Sequence, residues 1–261
     1  MTKEVINAIN VSLDAYSVII SIIIAIFIFM FKKLDKPARW FAFTNLAAIV
    51  YGITDIFMWI SEGTDAAWKL VALPVSSFIF FLSGIMLFFF YIGYIINYYR
   101  EIGEIKNSYM YFCIAMVIIY VIFLIITPIT NNGYYIISEE NTYSRGKLFN
   151  ITVIIEAFIY IEALLLILKY HKKVQNFENL GFASFIFVPF ICQIVQIMNF
   201  GIALNSVGLS ISFFIIFLNL NHKMQKEYEQ AKIEYEKMQQ NLSHHKHESN
   251  TAQNTSGQGN E

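Results

Sequence analysis

Residues 13–33, LDAYSVIISIIIAIFIFMFKK, hold the reading that decides the fold. The run from Leu13 to Phe31 is almost wholly apolar, and its apolar residues are consecutive instead of recurring on one face. A helix crossing hydrocarbon needs about 20 such residues, because backbone amides in lipid have to satisfy one another within the segment. The run is too long for the apolar core of a secretory signal. Lys32 and Lys33 follow it in place of a small-residue cleavage site, so it reads as a first membrane anchor.

Runs of the same kind follow at Trp40–Ile60, Leu70–Tyr98, Tyr109–Ile126, Leu148–Leu168, Phe182–Phe200 and Ala203–Leu220. The third is long and has to tilt or protrude. The last two are separated only by Gly201 and a short polar stretch through Asn205 and Ser206. Of 261 residues, 57% are hydrophobic and 14% charged, which agrees with a chain that lives mainly in lipid. The expected fold class is an all-α membrane protein with seven transmembrane helices.

Charge supports the count. Lys and Arg are retained on the cytoplasmic side of a membrane. Lys32, Lys33, Lys36, Arg39, Arg100, Lys106, Lys169, Lys172 and Lys173 fall in the first, third and fifth connections, and Lys223, Lys226, Lys232, Lys237 and Lys246 in the tail. That is fourteen of the eighteen basic residues, against Lys3, Lys69, Arg145 and Lys147 on the other side. Only an odd number of crossings gives this alternation, so the N-terminus is expected outside and the C-terminus in the cytoplasm, with the cell membrane as location. Trp59 and Trp68 at the outer interface, and Trp40, Tyr98, Tyr99, Tyr109 and Tyr170 at the inner one, fit the same arrangement.

One extracytoplasmic loop is sizeable, Thr127 to Lys147. Its alternation of aromatic or β-branched residues with polar ones around a turn-forming centre reads as a small hairpin. At the other end, Met224, Tyr228, Ala231, Tyr235, Met238 and Leu242 recur at spacings of four and three, with Lys and Glu between them. That is a heptad seam, and it implies a homodimer or a cytoplasmic partner. With no Pro or Gly between Leu209 and Gln253, the last span and the coiled coil read as one helix. The expected organisation is a transmembrane domain over 1–221, a coiled coil over 222–243 and a disordered tail over 244–261.

Several function classes drop out. A net charge of -1 with no concentrated basic face argues against nucleic acid as a partner. Gly-rich phosphate loops, HExxH, and a Ser or Cys beside a credible base are missing, so no enzyme and no cofactor are expected. The last span contains no Lys that could carry retinal as a Schiff base. His244, His245 and His247 lie in a tail expected to lack fixed geometry, so no metal site is expected. Cys113 and Cys192 fall at different depths and read as small buried hydrophobes.

Ionisable residues inside lipid are costly and are therefore functional candidates. Asp55, Glu156 and Glu162 are singled out on that ground. Asp55 and Glu156 share a depth, each on the order of 10 Å below the outer surface at about 1.5 Å per residue. Tyr51, Asp55 and Trp59 line one stripe of the second span. Pro189, Gln193 and Gln196 line one stripe of the sixth, which Pro189 is expected to kink. Together Tyr51, Asp55, Trp59, Glu156, Gln193 and Gln196 describe a polar cavity open to the outside, suited to a small polar or cationic ligand. The competing reading has both carboxyls protonated and serving as interhelical hydrogen bonds to Gln193 or Gln196. Glu162 lies deeper and on another face, and is expected in packing or in a water-filled inner cavity.

Two stretches carry a resemblance. The loop YYIISEENTYSRGKLF, through Tyr143, Arg145 and Gly146, is similar to the outer-loop signature of the seven-helix sensory region that precedes output domains in bacterial signalling proteins. Those proteins are membrane diguanylate cyclases with GGDEF domains and some histidine kinases. The end PFICQIVQIMNFGIALNSVGLSISFFIIFLNLNHKM resembles the last two helices of that region, with Pro189, Gln196, Gly201 and Gly208 in matching places and Asn219 and Asn221 at the exit. The likeness spans roughly Ser12 to Asn221 and is topological outside those two stretches. Glu156 and Glu162 are not positions of the family pattern, and a coiled coil stands where an output domain would follow. The resemblance implies a receptor that binds a small ligand from the outer side and signals through the last helix to a separate partner, or one that has lost its output. A small-solute or proton-coupled transporter, and a membrane scaffold that tethers a partner, are the alternatives.

Overall fold

The computed structural model describes residues 2–30, 34–174, 176–198 and 202–256. Seven helices follow one another: α1 (Lys3–Met30), α2 (Lys36–Ile60), α3 (Lys69–Ile102), α4 (Ser108–Thr130), α5 (Phe149–Tyr170), α6 (Asn176–Met198) and α7 (Asn205–Ser256). Between α4 and α5 lies a hairpin of β1 (Tyr135–Ile137) and β2 (Tyr143–Arg145), antiparallel with Tyr135 opposite Arg145 and Ile137 opposite Tyr143. Among the described residues the fold is all-α apart from this hairpin, which stands where the sequence places it.

Among the described residues six helices are long and apolar enough to cross a membrane, all but α6. Among the described residues α6 counts only as a shorter apolar helix, Asn176–Cys192. These are the lengths and compositions of a multi-pass membrane protein. The outward faces agree, since Ile19, Ile22, Ile23, Ile26 and Phe27 of α1 and Ile154, Phe158, Ile161 and Leu165 of α5 are all exposed. In water such a surface would be an aggregation liability, whereas against lipid tails it costs nothing.

Helix ends differ from the apolar runs because capping is decided by polar residues outside them. Asp35 caps α2, accepting from the Ala38 backbone N–H at 2.7 Å, with Pro37 in the first turn where its missing N–H is harmless. The helix therefore begins four residues before Trp40. Likewise α1 starts at Lys3, well before the expected Leu13.

The chain divides into two compact units, Met1–Phe217 and Leu218–Glu261. In the first unit α3 is the central element, packed against α2, α4 and α5. Every residue from Tyr91 to Tyr99 is buried, so this helix has no solvent or lipid face there. Gly93 admits the Trp40 ring of α2: a Cβ at that position would sit 2.2 Å from it. Around these turns Tyr91 stacks on Phe185 at 3.7 Å, and Tyr94, Tyr98 and Tyr99 surround Phe182. Phe41 and Phe213 extend the same aromatic core to α2 and α7. Edge-to-face and offset pairs of this kind fasten the end of the bundle remote from the hairpin.

The second unit is the C-terminal part of α7. Tyr228, Tyr235 and Met238 of the heptad seam are 73%, 62% and 62% exposed, and Ala231 is exposed too. Met224 is half-buried, and the Leu242 side chain lies outside the described residues. The helix runs through Ser256, past Ser243 where the sequence reading ends it. Residues 257–261 of the expected disordered tail lie outside the described residues, as do 199–201 of the expected turn between the last two spans.

Candidate functional site

The site is built on polar residues at helical spacing on otherwise apolar helices. On α1, Asn10, Asp14, Ser17 and Ser21 are spaced four, three and four apart, and all are buried while the apolar flanks face outward. This inside-out pattern is how a helix brings polar groups together in lipid. The stripe abuts α2 and α7: Asn45 donates to the Ser21 carbonyl at 2.7 Å, and Asn10 accepts from the Ala203 N–H at 2.8 Å just before α7 begins.

Tyr51 is the hub. Its ring stacks on Phe80 of α3 at 4.3 Å, and the side chain of Asn205 and the carboxyls of Asp14, Asp55 and Glu156 all lie within electrostatic range of it. Asp14 stands beside Asp55 and Ser206. Its side chain is fully buried, yet neither carboxyl oxygen closes a hydrogen bond of ordinary geometry. Glu156 of α5 also lies within electrostatic range of Tyr120, Tyr134 and Tyr160. Among the described residues, no cationic side chain figures among the groups acting on the three carboxyls.

A cavity adjoins the cluster, lined by Ser17, Ser21, Tyr51, Gly52, Ser206 and Ser210 among others. The empty space there is about 230 Å³, part of it open to the outside of the bundle, and it admits about one water-sized sphere. Its hydroxyls are already oriented: Ser17 donates to the Leu13 carbonyl at 3.0 Å and Ser210 to the Val207 carbonyl at 2.9 Å. Each therefore keeps oxygen lone pairs for another partner.

The hairpin closes over this end. Asn141, buried and left-handed at φ 52°, donates through its amide to the carbonyls of Ser61 at 2.8 Å and Gly63 at 2.9 Å, and more weakly to Lys69. The Tyr143 N–H donates to Glu62 at 3.2 Å. These bonds tie the hairpin to the α2–α3 connection. The Tyr143 phenol is held above the ordinary tyrosine range by burial, which outweighs the lowering effect of Arg145, and Asp55 below it acts in the same direction as burial. Arg145 lies over the Phe149 ring at 4.6 Å. Gly146 is where the two ends of the loop cross: a Cβ there would fall 2.1 Å from the Gly133 carbonyl oxygen. The Tyr143, Arg145 and Gly146 signature is thus accounted for by the hairpin's own construction.

Of the residues expected at a ligand site, the structure brings Tyr51, Asp55 and Glu156 together. Trp59 is half-buried, with its indole N–H unpartnered. The helix continues through Pro189, while the side chains of Gln193 and Gln196 lie outside the described residues. Glu162 is 5% exposed, has no hydrogen-bond partner for either oxygen, and lies near Cys113 of α4, apart from the cluster. Sequence reasoning missed Asp14, Asn205 and Ser206. Asp14 sits at the edge of the apolar run and passes for an interfacial residue. The Asn10, Asp14, Ser17, Ser21 spacing was the signal that places it inside.

No protein-family model matches the chain, and no curated protein matches it.

Proposed function

We propose that the chain is a sensory module of the cell membrane, crossing it seven times with its N-terminus outside. It takes a small ligand at the Tyr51, Asp55 and Glu156 cluster, and passes the change through α7 to a partner held by the C-terminal helix. One observation carries this reading: the first two residues of α7, Asn205 and Ser206, are themselves neighbours of Tyr51 and Asp14. Whatever changes the hydrogen bonding or charge of the cluster therefore acts directly on the start of the helix that also carries the exposed heptad seam. A ligand can move that helix only by its differential affinity for two poses. A half-satisfied polar network is a natural place for two poses of similar energy. The similarity of the outer loop and of the last two helices to bacterial sensory regions supports the same reading.

A second reading rests on the chain of groups Asp14, Asp55, Tyr51, Glu156 and Tyr120, which is also what a proton-coupled carrier would use. Uptake separates the two. The full chain in micelles is screened by thermal shift against small amines and other organic cations, and each hit is repeated with Asp55→Asn and Glu156→Gln. The sensory reading expects hits that the variants lose, together with no accumulation of the same compound in proteoliposomes. Hits shared equally by wild type and both variants would remove the site, and accumulation would make the protein a carrier.

A further inference from the structure

We infer that the end of α5, with the turn that follows it (His171–Lys173), and the connection between α3 and α4 together form a headgroup site for an anionic phospholipid, whose phosphate Lys169 and Lys173 hold. Three contacts build it. Lys169 donates to the Tyr109 hydroxyl at 3.4 Å in the first turn of α4, and Tyr170 donates to the Glu104 carbonyl at 3.4 Å. A Cβ on Gly103 would fall 2.9 Å from the Lys173 Nζ, so that ammonium lies beside the end of α3. Arg100 donates to the Asn107 side chain and steadies the connection itself. Both ammonium groups lie over the Tyr170 ring, Lys169 at 5.4 Å and Lys173 at 5.6 Å from its centre. The ring is buried and both lysines are exposed, so two cations share one fixed aromatic platform and keep N–H donors to spare.

The charge there is not neutralised locally. Among the described residues neither lysine joins an ion pair, unlike Lys69, which meets Asp65 at 2.8 Å. Within the connection Glu101 and Glu104 offset Arg100 and Lys106, which leaves Lys169, Lys172 and Lys173 in surplus. Like charges four residues apart repel, and an anion shared between them relieves the repulsion. Exposed ammonium groups hold a free anion in water only weakly. A membrane supplies the anion on better terms, because the apolar outward faces end at this level: Leu165 and Leu168 of α5 and Phe112 of α4 are exposed. Acyl chains can lie along those residues while the phosphate sits level with the two lysines. On the proposed topology this is the inner leaflet, whose surface is negative.

The site needs only a bilayer edge near Lys169, so it stands or falls apart from the ligand cluster around Tyr51. The test titrates the purified full chain in micelles with dioctanoyl phosphatidylglycerol, dioctanoyl phosphatidylcholine or inorganic phosphate, and reads binding by thermophoresis. Wild type is expected to bind the anionic lipid about tenfold tighter than the zwitterionic one, and inorganic phosphate far more weakly than either. Lys169→Gln with Lys173→Gln is expected to abolish the preference and leave the Tm unchanged. Lys223→Gln with Lys226→Gln removes the same charge from α7 and is expected to keep the preference. Equal loss in the two double variants would reduce the effect to diffuse surface charge and overturn the site. Equal affinity of wild type for the two lipids would overturn it as well. Inorganic phosphate that matched the anionic lipid would make this a free-anion site and remove the headgroup.

Discussion

At the residue scale, the chemistry concentrates on side chains that a lipid-facing helix would ordinarily exclude. Tyr51 ties α2 to α3 by stacking on Phe80 and places its hydroxyl near Asn205 of α7. Tyr51→Phe keeps the stack and deletes the buried hydroxyl beside Asn205. It should destabilise the protein by about 1 kcal/mol, read as a lower Tm, while leaving the far aromatic core untouched. Glu162 is the contrasting case, buried with no partner and remote from the cluster. Glu162→Gln is expected to leave the Tm unchanged or raise it, since a neutral amide is cheaper than a lone carboxyl at a buried position. A fall of several degrees would show that Glu162 has a partner role of its own.

At the element scale, the hairpin is held by one asparagine more than by its own short ladder. Asn141 adopts a left-handed backbone that asparagine tolerates, and its side chain satisfies carbonyls of the α2–α3 connection that would otherwise be buried and unpaired. Asn141→Ala should cost about 2 kcal/mol and open the hairpin, detectable as faster proteolysis between Ser138 and Arg145 in intact vesicles. Gly146→Ala should do similar damage by a different route. A methyl group cannot share space with the Gly133 carbonyl, so the crossing of the loop ends has to move.

For the whole molecule, the proposed arrangement makes two separable demands. Reporter fusions at the two termini should report opposite compartments, as fourteen basic residues on one side require. Matching compartments would return an even number of crossings and, with it, the loss of the outward-facing site. The exposed seam makes the second demand. If Tyr228, Tyr235 and Met238 meet a second copy, Tyr228→Glu with Tyr235→Glu should convert a cross-linkable dimer in native membranes to monomer without altering the thermal stability of the helix bundle. Dimerisation that survives both substitutions would place the contact elsewhere.

Much of this molecule is written in its order of residues. Long unbroken apolar runs can satisfy their amides in lipid only as helices, so the helices and their sequence could be read directly, and the alternation around Asn141 marked the hairpin. Tyr51, Asp55 and Glu156 were legible for the same reason: polar groups stand out against hydrocarbon. The packing decided what the order of residues leaves open. It decided that α1 begins early enough to carry Asp14 inside and turns its Asn10-to-Ser21 stripe inward, and that the first turn of α7 comes to rest against that stripe. Those are relations between helices distant in the chain, and no local pattern encodes which polar stripe faces which, because lipid pushes all of them inward alike.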